Sequence, residues 1–335
     1  MRLPRVLLIA EAANPEWVSV PLVGWSHSRA IARICDTHLV TQVRNAAAIE
    51  RAGWVQGREF TAIDTESTAA PLYRAAEWIR RMTGLGWTLG TAISGIGYYH
   101  FEYEVARRFG PDLEAGKFDI VHRVTPLSPS TPSYFIPRIC SQVRVPFVIG
   151  PLNGGVSWPK GFSDVQRAEG EWLSYVRSAY KLLPGYRTTR TQAHALLIGS
   201  LTTWEQLHGY HAKSVYIPEN AIDPERFPTT ACPYEQGPLR VAFVGRLVPC
   251  KSVDILIDAA APLVRSKKIE VDIIGDGPEM PRLRAMRKSL SIENGVSLDG
   301  WVPHEKLGER LSNAHVFGFP SVREFGGGVV LGRWR

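Results

Sequence analysis

The sequence predicts an α/β protein with two doubly wound domains, each a mainly parallel sheet covered by helices on both faces. Its 335 residues are too many for one ordinary domain and suit two. Short apolar runs alternate with amphipathic stretches along the chain, which is the pattern of strand–helix–strand units. Prolines at positions 224, 228, 233 and 238 interrupt this alternation and indicate a stiff linker.

The first domain is expected over residues 1–222. Its first apolar run, Val6–Ala10, is too short for a signal peptide or a membrane span, so we interpret it as a buried strand. The predicted strands are Val6–Ala10, Thr37–Val43, Phe118–Val124, Pro146–Gly150, Ala195–Ser200 and Ser214–Pro218. The predicted helices, with Trp, Tyr and Ile on one side, are Ser28–Cys35, Pro71–Met82, Ile93–Phe109 and Val165–Leu182.

The linker is expected over residues 223–238 and a second domain over residues 239–335, where the alternation resumes. Its predicted strands are Leu239–Gly245, Glu270–Gly275, Val296–Gly300 and Val316–Pro320, and its predicted helices are Asp254–Val264, Pro281–Leu290 and Glu305–Ser312. Doubly wound sheets bind ligands beyond the carboxyl ends of their strands. We therefore expect the active site in the cleft between the two domains.

The composition narrows the classes of function. Hydrophobic residues make up 44% of the chain and charged residues 21%, which is typical of a folded protein. The four cysteines are far apart, with no CxxC pair, so we expect a reduced, cytoplasmic protein without structural zinc. The net charge of +7 favours an anionic partner. Because no Lys/Arg block is interleaved with aromatic residues, we do not expect nucleic acid as that partner.

A membrane surface is one anionic partner that fits. The segment Trp78–Met82 combines aromatic and basic residues, and with the positive net charge it predicts peripheral attachment to the inner face of the plasma membrane. The alternative is a helix whose aromatic face is buried in the protein.

Two cations follow the first predicted strand of the second domain. Arg246 and Lys251 lie in a turn from strand to helix, at the edge of the sheet where a diphosphate would bind. An Arg fork and a Lys point charge suit phosphate oxygens. The alternative is an ordinary solvated loop.

The stretch from Phe319 to Leu331 places a carboxylate beside three consecutive glycines. Glu324 follows a predicted strand end, and Gly326, Gly327 and Gly328 lead toward a helix. Backbone N–H groups of such a turn can approach an anion closely. A plain surface turn is the alternative, although three glycines are a costly way to build one.

Two further turns have weaker signals. Gly275-Asp276-Gly277-Pro278 ends a strand and opens a helix, which by itself is mostly structural. Trp301 follows Gly300 at another strand end and could pack a nucleobase, or could be buried to hold the turn.

As a set, these motifs resemble the donor domain of the family-4 retaining glycosyltransferases, or glycosyl transferases group 1. That domain carries a Gly-Arg-Leu turn with a following Lys, Gly-Asp-Gly-Pro, and Pro-Ser-x-x-Glu-x-Phe-Gly. The first half resembles the family's acceptor domain, with His122–Pro126 and Gly150–Gly155 where that domain lines the cleft, and Ile217–Asn220 before the linker. The resemblance implies the GT-B fold, with two Rossmann-like domains facing a cleft and the second domain incomplete.

The resemblance also implies an activity and a role for each candidate residue. The protein would move a hexose, with retention, from a nucleotide-sugar donor to a saccharide or lipid-linked acceptor. Arg246 and Lys251 would neutralise the donor diphosphate, and Glu324 would hold the hexose together with the amides from Phe325 to Gly328. The candidate catalytic residues are Glu324 and His122, and the candidate donor-binding residues are Arg246, Lys251, Phe325, Gly326, Gly327, Gly328, Trp301, Gly154 and Gly155.

Each of the first-domain candidates has a structural alternative. A histidine at a strand end is often a satisfied core residue, and Gly154 and Gly155 could simply make a turn. No metal or cofactor is expected beyond the nucleotide-sugar substrate, because Arg and Lys take the place of an acidic metal motif. The sequence also has no Ser-His-Asp arrangement and no carboxylate pair spaced for glycoside hydrolysis.

Three positions depart from the family pattern. Position 332 is Gly where the family has a second glutamate for the ribose, and Ser252 and Ala221 stand where glycines are common. One deleted base would convert Leu-Glu-Ala-Met-Ala into the observed Leu331–Arg335. We therefore expect a truncated product with impaired or no activity.

Two other functions remain to be compared with this one. A non-catalytic protein that keeps the fold to bind a sugar or a partner is the alternative. A sugar-nucleotide epimerase of the same fold would need acid and base side chains around the cleft, and the sequence offers no such constellation.

Overall fold

The computed structural model describes residues 2–66, 74, 87–168, 179–221, 236–324 and 326–333. These residues form two compact units. Of the described residues, the first unit contains 2–156 and 179–219. The second unit contains 157–168 and the described residues from 220 to 333. The placement of residues 157–168 differs from the simple division expected at residue 222. The predicted helix Pro71–Met82, the segment Trp78–Met82 and most of the predicted linker lie outside the described residues.

The first unit is built on a seven-stranded parallel sheet. Its strand order is β3-β2-β1-β4-β5-β6-β7, which places β1 and β4 side by side in the middle. The strands are β1 (Arg5–Ala10), β2 (Asp36–Gln42), β3 (Phe60–Ile63), β4 (Ile120–Thr125), β5 (Phe147–Leu152), β6 (Ala195–Ile198) and β7 (Ser214–Tyr216). Leu7, Leu8 and Ile9 of β1 are completely buried, as expected when both faces of a parallel sheet are covered.

Helices cover both faces of this sheet. They are α1 (Val20–Ala32), α2 (Ala46–Arg51), α3 (Trp87–Glu114), α4 (Ile136–Val143), α6 (Tyr186–Gln192) and α7 (Leu201–Gln206), while α5 (Ser163–Ala168) belongs to the second unit. Phe101 of α3 and Ile136 of α4 pack with Leu7 on one face. Trp25 of α1 packs with Leu8 on the other.

A buried carboxylate fixes the start of α4. Glu102 of α3 is fully buried and accepts hydrogen bonds from the backbone N–H groups of Tyr134 (2.6 Å) and Phe135 (3.2 Å). Burial raises the pKa of this carboxyl group, while the hydrogen bonds and the nearby Arg123 oppose that shift. Glu102 thus satisfies N–H groups that would otherwise be orphaned at a helix start.

The second unit has a four-stranded parallel sheet of order β10-β9-β8-β11. The strands are β8 (Leu239–Val244), β9 (Ile269–Ile274), β10 (Val296–Gly300) and β11 (Val316–Phe317), and the further helices are α8 (Val253–Arg265), α9 (Met280–Ser289), α10 (His304–Ser312) and α11 (Gly328–Arg333). Ile257 of α8 and Leu283 of α9 pack on one face, and Leu311 of α10 packs on the other.

The predicted α/β class is therefore confirmed, and most predicted elements are present with small shifts at their ends. The differences have physical causes. Strand β3 was not predicted, because only four residues separate its polar flanks. Helix α1 begins at Val20 rather than Ser28, since Pro21 occupies its first turn, where no N–H partner is needed. Of the helix predicted over Val165–Leu182, α5 covers Ser163–Ala168 and a 3₁₀ turn covers Ala179–Leu182, and most residues between them are outside the described part.

None of the described helices is both long and apolar enough to cross a membrane.

Candidate functional site

The carboxyl edge of the second sheet gathers most of the predicted donor-binding residues. The turn after β8 carries Arg246 and Lys251, the turn after β10 carries Trp301, and the stretch after β11 carries Glu324 and the glycines. Since the strands are parallel and their order is β10-β9-β8-β11, the turns after β8 and β11 are neighbours. Trp301 lies two strands from β8, roughly 10 Å away at the usual strand spacing.

Two glycines allow the turn after β9 to support the turn after β8. The N–H of Leu247 donates to the carbonyl of Asp276 (2.9 Å), and the N–H of Gly245 donates to that of Ile274 (3.1 Å). A Cβ at Gly275 would lie 1.9 Å from the Gly245 oxygen, and one at Gly277 would lie 2.3 Å from the Leu247 oxygen. The Gly-Asp-Gly-Pro motif is thus a close backbone contact that holds the Arg246 turn in place.

Lys251 and Glu324 form an ion pair across the neighbouring turns. The Lys251 ammonium donates to Oε2 of Glu324, and their side chains are 18% and 32% exposed. The same ammonium lies 5.2 Å from the centre of the Phe319 ring, a cation–π contact. The sequence analysis assigned the donor diphosphate to Lys251 and the donor hexose to Glu324. The structure brings these two residues into direct contact.

The backbone around this pair is fixed by further hydrogen bonds. Val322 N–H donates to the carbonyl of Cys250 (2.9 Å), which ties the stretch after β11 to the turn after β8. The Ser321 hydroxyl lies 3.5 Å from Oε2 of Glu324 and 3.1 Å from the carbonyl oxygen of Arg323. The carboxylate and the ammonium are thus held on connected backbone.

The glycine turn after Glu324 has a residue in the left-handed region and contacts the Glu324 carboxylate. Gly327 has φ +55°, in the left-handed region, and its N–H lies 3.4 Å from Oε1 of Glu324. The side-chain amide of Asn220 donates to the carbonyl of Gly326 (3.0 Å). Gly328 begins α11. Phe325 lies outside the described residues.

Arg246 is exposed on the loop after β8, and its side chain makes no hydrogen bond or ion pair with any part of the chain that the structure describes. Its guanidinium group is therefore available to an anion from solvent. Trp301 is 68% exposed, so it does not bury its ring to hold the turn within the second unit.

His122 has the environment of its structural alternative, a buried histidine whose ring is hydrogen-bonded to the backbone. It lies within β4, as the predicted strand Phe118–Val124 implied, is 7% exposed, and its Nε2 is 2.8 Å from the carbonyl oxygen of Gly150. Burial, reinforced by the nearby His27, lowers its pKa to about 4, although the bond to Gly150 opposes this. His122 is thus neutral at pH 7 and donates its Nε2 proton to the backbone. Its assignment near a donor sugar stays a prediction.

Gly154 and Gly155 form a turn whose backbone is already bonded within the first unit. Gly154 N–H donates to Oγ1 of Thr203 (3.2 Å), whose hydroxyl also lies 3.1 Å from the Gly154 carbonyl oxygen. Gln206 donates to the carbonyl of Gly155 (2.8 Å). These contacts fit the turn alternative, and a role in binding the donor stays a prediction.

Sequence reasoning missed several residues that support these turns. In the first unit, Asn153 donates to the carboxylate of Glu219. The Nε2 of His27 lies 2.9 Å from the backbone carbonyl oxygen of Glu219. In the second, the buried guanidinium of Arg323 lies 5.0 Å from the centre of the Trp158 ring. Each of these contacts joins residues that are far apart in the sequence. A single sequence carries no signal that shows which distant residues meet.

A cavity of about 690 Å³ lies along the sheet face of the second unit, away from Lys251. Three of its charged lining residues are already paired, because Arg310 forms ion pairs with both Asp272 and Asp299. No group of three or more His, Cys, Asp or Glu side chains within the described ranges could hold a metal ion.

Comparisons with known proteins identify the family of the C-terminal part of the chain. Residues 238–332 match the family model of the glycosyl transferases group 1. A putative colanic acid biosynthesis glycosyltransferase of Salmonella typhimurium, WcaL, is 23% identical over 205 residues, covering 55% of this chain and 49% of its own length. The gpi3 subunit of the phosphatidylinositol N-acetylglucosaminyltransferase of Schizosaccharomyces pombe is 28% identical over 121 residues, covering 36% of this chain and 26% of its own length. The chain thus spans a quarter to a half of these relatives.

A likeness to solved structures covers nearly the whole chain. The structure of Anabaena HepE in complex with UDP and glucose aligns with a TM-score of 0.57 at 12% sequence identity, over 98% of this chain and 78% of HepE. At such low identity the likeness shows the fold, and it confirms the fold class predicted from the motifs. Residues 238–332 are a glycosyl transferases group 1 domain, on a chain with the α/β fold of the GT-B glycosyltransferases.

Proposed function

We propose that this protein is a glycosyltransferase that moves a hexose from a nucleotide-sugar donor to a saccharide or lipid-linked acceptor. The observation that carries the proposal is the grouping of the Lys251 ammonium, the Glu324 carboxylate and the Gly327 N–H at the carboxyl edge of the second sheet. This grouping lies inside the matched domain. The relatives named as glycosyltransferases, and the presence of UDP and glucose in the HepE structure, support it.

The charged residues would work by electrostatic stabilisation of the leaving group. As the bond from sugar to phosphate breaks, negative charge grows on the diphosphate, and the cations of Arg246 and Lys251 stabilise it. Glu324 accepts hydrogen bonds from sugar hydroxyls and so orients the ring. Because two fixed cations do this neutralising, we propose that transfer needs no metal. Addition of EDTA should leave the rate unchanged, and loss of transfer that Mg²⁺ or Mn²⁺ restores would contradict this part.

The stereochemical outcome is a further part of the proposal, and it rests on the family resemblance. The leaving phosphate assists attack by the acceptor hydroxyl on the same face of the sugar, so the anomeric configuration is retained. Proton NMR of the product, recorded with an α-linked donor, should give an α-linked product. A β-linked product would show inversion.

The test of the function is binding and transfer with a panel of nucleotide-sugars that varies the nucleotide and the sugar separately. We expect at least one donor to bind, with affinity reduced in Arg246→Ala and Lys251→Ala. Lys268→Ala is a matched control, because Lys268 is exposed just before β9, at the amino edge of the sheet. Equal weakening by all three variants would mean non-specific attraction of anions.

A second candidate, a non-catalytic sugar- or partner-binding protein, is favoured by one observation. Gly332 stands where a carboxylate for the donor ribose is expected. Impaired transfer follows from the same position. Nucleotide-sugar binding without turnover, for any acceptor on a glycan array, would support this candidate over the transferase.

Attachment to the surface of anionic membranes is a separate part of the proposal. It rests on the net charge of +7 and on the basic and aromatic segment Trp78–Met82, which lies outside the described residues. Co-sedimentation with liposomes should increase with phosphatidylserine content and fall with salt. Binding that depends on neither would rule it out.

A further inference from the structure

The ion pair between Lys251 and Glu324 has a consequence for the choice of ligand. Under the proposed function, the ammonium binds the diphosphate and the carboxylate binds the sugar, yet in the structure these two groups neutralise each other. A ligand that contacts only one of them must remove it from the other. The pair is therefore a contact that competes with ligands inside the donor site.

Both members of the pair are held in position by contacts of their own. The Lys251 N–H donates to the carbonyl of Val248 (3.0 Å), and its ammonium lies 5.2 Å from the centre of the Phe319 ring. That ring stacks on Phe243 and Phe317 with centroid distances of 6.2 and 5.6 Å. The backbone of Lys251 is therefore fixed in its turn, and its ammonium lies beside the Phe319 ring.

The carboxylate is oriented from the other side. Oε1 of Glu324 lies 3.4 Å from the N–H of Gly327, and Oε2 lies 3.5 Å from the Ser321 hydroxyl. With 18% and 32% of the two side chains exposed, the pair is shielded from solvent more than a surface ion pair. Such a pair is screened less by salt and is worth more than an exposed one.

We propose that the Lys251–Glu324 pair makes the donor site select intact nucleotide-sugar over free diphosphate. This inference rests on the proposed function. A free diphosphate takes the Lys251 ammonium from its ion pair with Glu324, and the carboxylate then faces the phosphate charge without that pair. An intact nucleotide-sugar supplies hydroxyl donors to Glu324 at the same time, so the carboxylate keeps its hydrogen bonds. The pair thus weakens binding of the product nucleoside diphosphate relative to that of the donor.

The test is calorimetric binding of inorganic pyrophosphate to the full chain and to Glu324→Gln at constant ionic strength. Removal of the carboxylate frees Lys251, so we expect pyrophosphate to bind about 3- to 10-fold more tightly, the range for a partly shielded ion pair. Asp272→Asn is the matched control. It removes one negative charge of similar exposure (30%) from an ion pair with Arg310, and should change pyrophosphate affinity less than about twofold.

A double-mutant cycle separates the pair from general charge effects. In the Lys251→Ala background, Glu324→Gln should tighten pyrophosphate binding less than it does in the unmodified chain, because only the repulsion between carboxylate and phosphate is left to remove. A Glu324→Gln variant that binds pyrophosphate no more tightly than the unmodified chain, while Lys251→Ala still weakens it, overturns this inference and leaves the proposed function standing. Absence of pyrophosphate and nucleotide-sugar binding in every variant overturns both. Circular dichroism of each variant checks that the fold is retained.

Discussion

The two units place turns at the same topological position, the carboxyl edge of a parallel sheet, and use them differently. In the first unit His122 and the Gly154 turn have their polar groups bonded to neighbouring backbone and side chains. In the second unit Arg246 is exposed and the Lys251–Glu324 pair is partly accessible. Topology thus indicates where a site can form, whereas burial decides which residues remain available to a ligand.

The largest expected effect tests the accessible side of this comparison. Replacement of Arg246 or Lys251 by Ala removes a charge-assisted contact to the diphosphate and should cost about 2–4 kcal/mol of transition-state stabilisation. This corresponds to a loss of about 30- to 1000-fold in kcat/KM with the best donor of the panel. Thermal unfolding of Arg246→Ala should change little, because this side chain has no partner within the described part of the chain. Unchanged kcat/KM in both variants would remove the diphosphate from this turn.

The next effect tests the buried side of the comparison. Burial lowers the pKa of His122 from 6.5 to about 4, so between these values the unfolded chain binds a proton that the folded one does not. The free energy of unfolding should therefore fall as the pH falls from 6.5 toward 4, by up to about 3 kcal/mol from this group. Above pH 6.5 the group has no such effect. His122→Gln should lose this part of the pH dependence in urea unfolding.

Two buried carboxyl groups also change the stability of the protein with pH. The effect of His122 is therefore measured as the difference between the unmodified chain and a variant that lacks this histidine. The pKa values of Glu11 and Glu102 are raised by burial, so their protonation favours the folded state as the pH falls and opposes the effect of His122. The slope of the His122→Gln variant is therefore compared with that of the unmodified chain. His208→Gln, at an exposed position, is the control. Parallel pH profiles for all three proteins would mean that His122 titrates normally.

The third effect concerns a contact within the second unit that the sequence did not reveal. Trp158→Ala removes the ring beside the buried guanidinium of Arg323, and should lower the unfolding free energy by about 1 kcal/mol. Because Arg323 precedes Glu324, donor affinity should also fall. Trp301→Ala is the matched control for stability, since 68% of Trp301 is exposed and its loss should change unfolding by less than about 0.5 kcal/mol. Equal destabilisation by both variants would contradict the contact.

The fold was predictable because it depends on local patterns. The strands β8, β9 and β10 are bounded by turn residues and carry apolar runs that single-sequence reasoning detects. The short strand β3 carries too few residues for such a pattern. Residues 157–168 join the second unit through contacts such as that of Trp158 with Arg323, which no local pattern encodes.

The candidate site was predictable only in part. The sequence identified Lys251, Glu324 and the glycine turn from residue type and spacing, and the structure places them together. It did not reveal that Lys251 and Glu324 bind each other. It also left two interpretations of His122 open, a residue near the donor sugar and a satisfied core residue, and the structure shows it buried within β4 and bonded to Gly150. Burial and contacts between distant residues decide whether a polar group is bonded within the protein or is available to a ligand. Neither can be detected from composition or motif spacing.

The smallest expected effect tests whether a carboxylate added to the second unit raises its affinity for the nucleotide. Gly332 lies in α11, eight positions after Glu324, where the family resemblance places a carboxylate for the donor ribose. Gly332→Glu should therefore bind the nucleoside diphosphate of the best donor in the panel about 3- to 10-fold more tightly, the value of roughly one hydrogen bond between a hydroxyl and a carboxylate. Pyrophosphate has no ribose, so its affinity should stay the same or fall through repulsion.

Leu331→Glu is the control that separates this contact from a change in charge. Leu331 is the preceding residue of the same helix and is 36% exposed, so a carboxylate there adds the same charge but points about 100° away around the helix axis. Only Gly332→Glu should raise the ratio of nucleoside diphosphate affinity to pyrophosphate affinity in calorimetry. If Leu331→Glu raises it equally, helix α11 does not present position 332 to the ribose, and the missing carboxylate does not account for the impaired transfer expected from Gly332. If neither variant raises it, the ribose is held elsewhere, and the effect of the Gly at position 332 on activity has to be sought in the packing of α11.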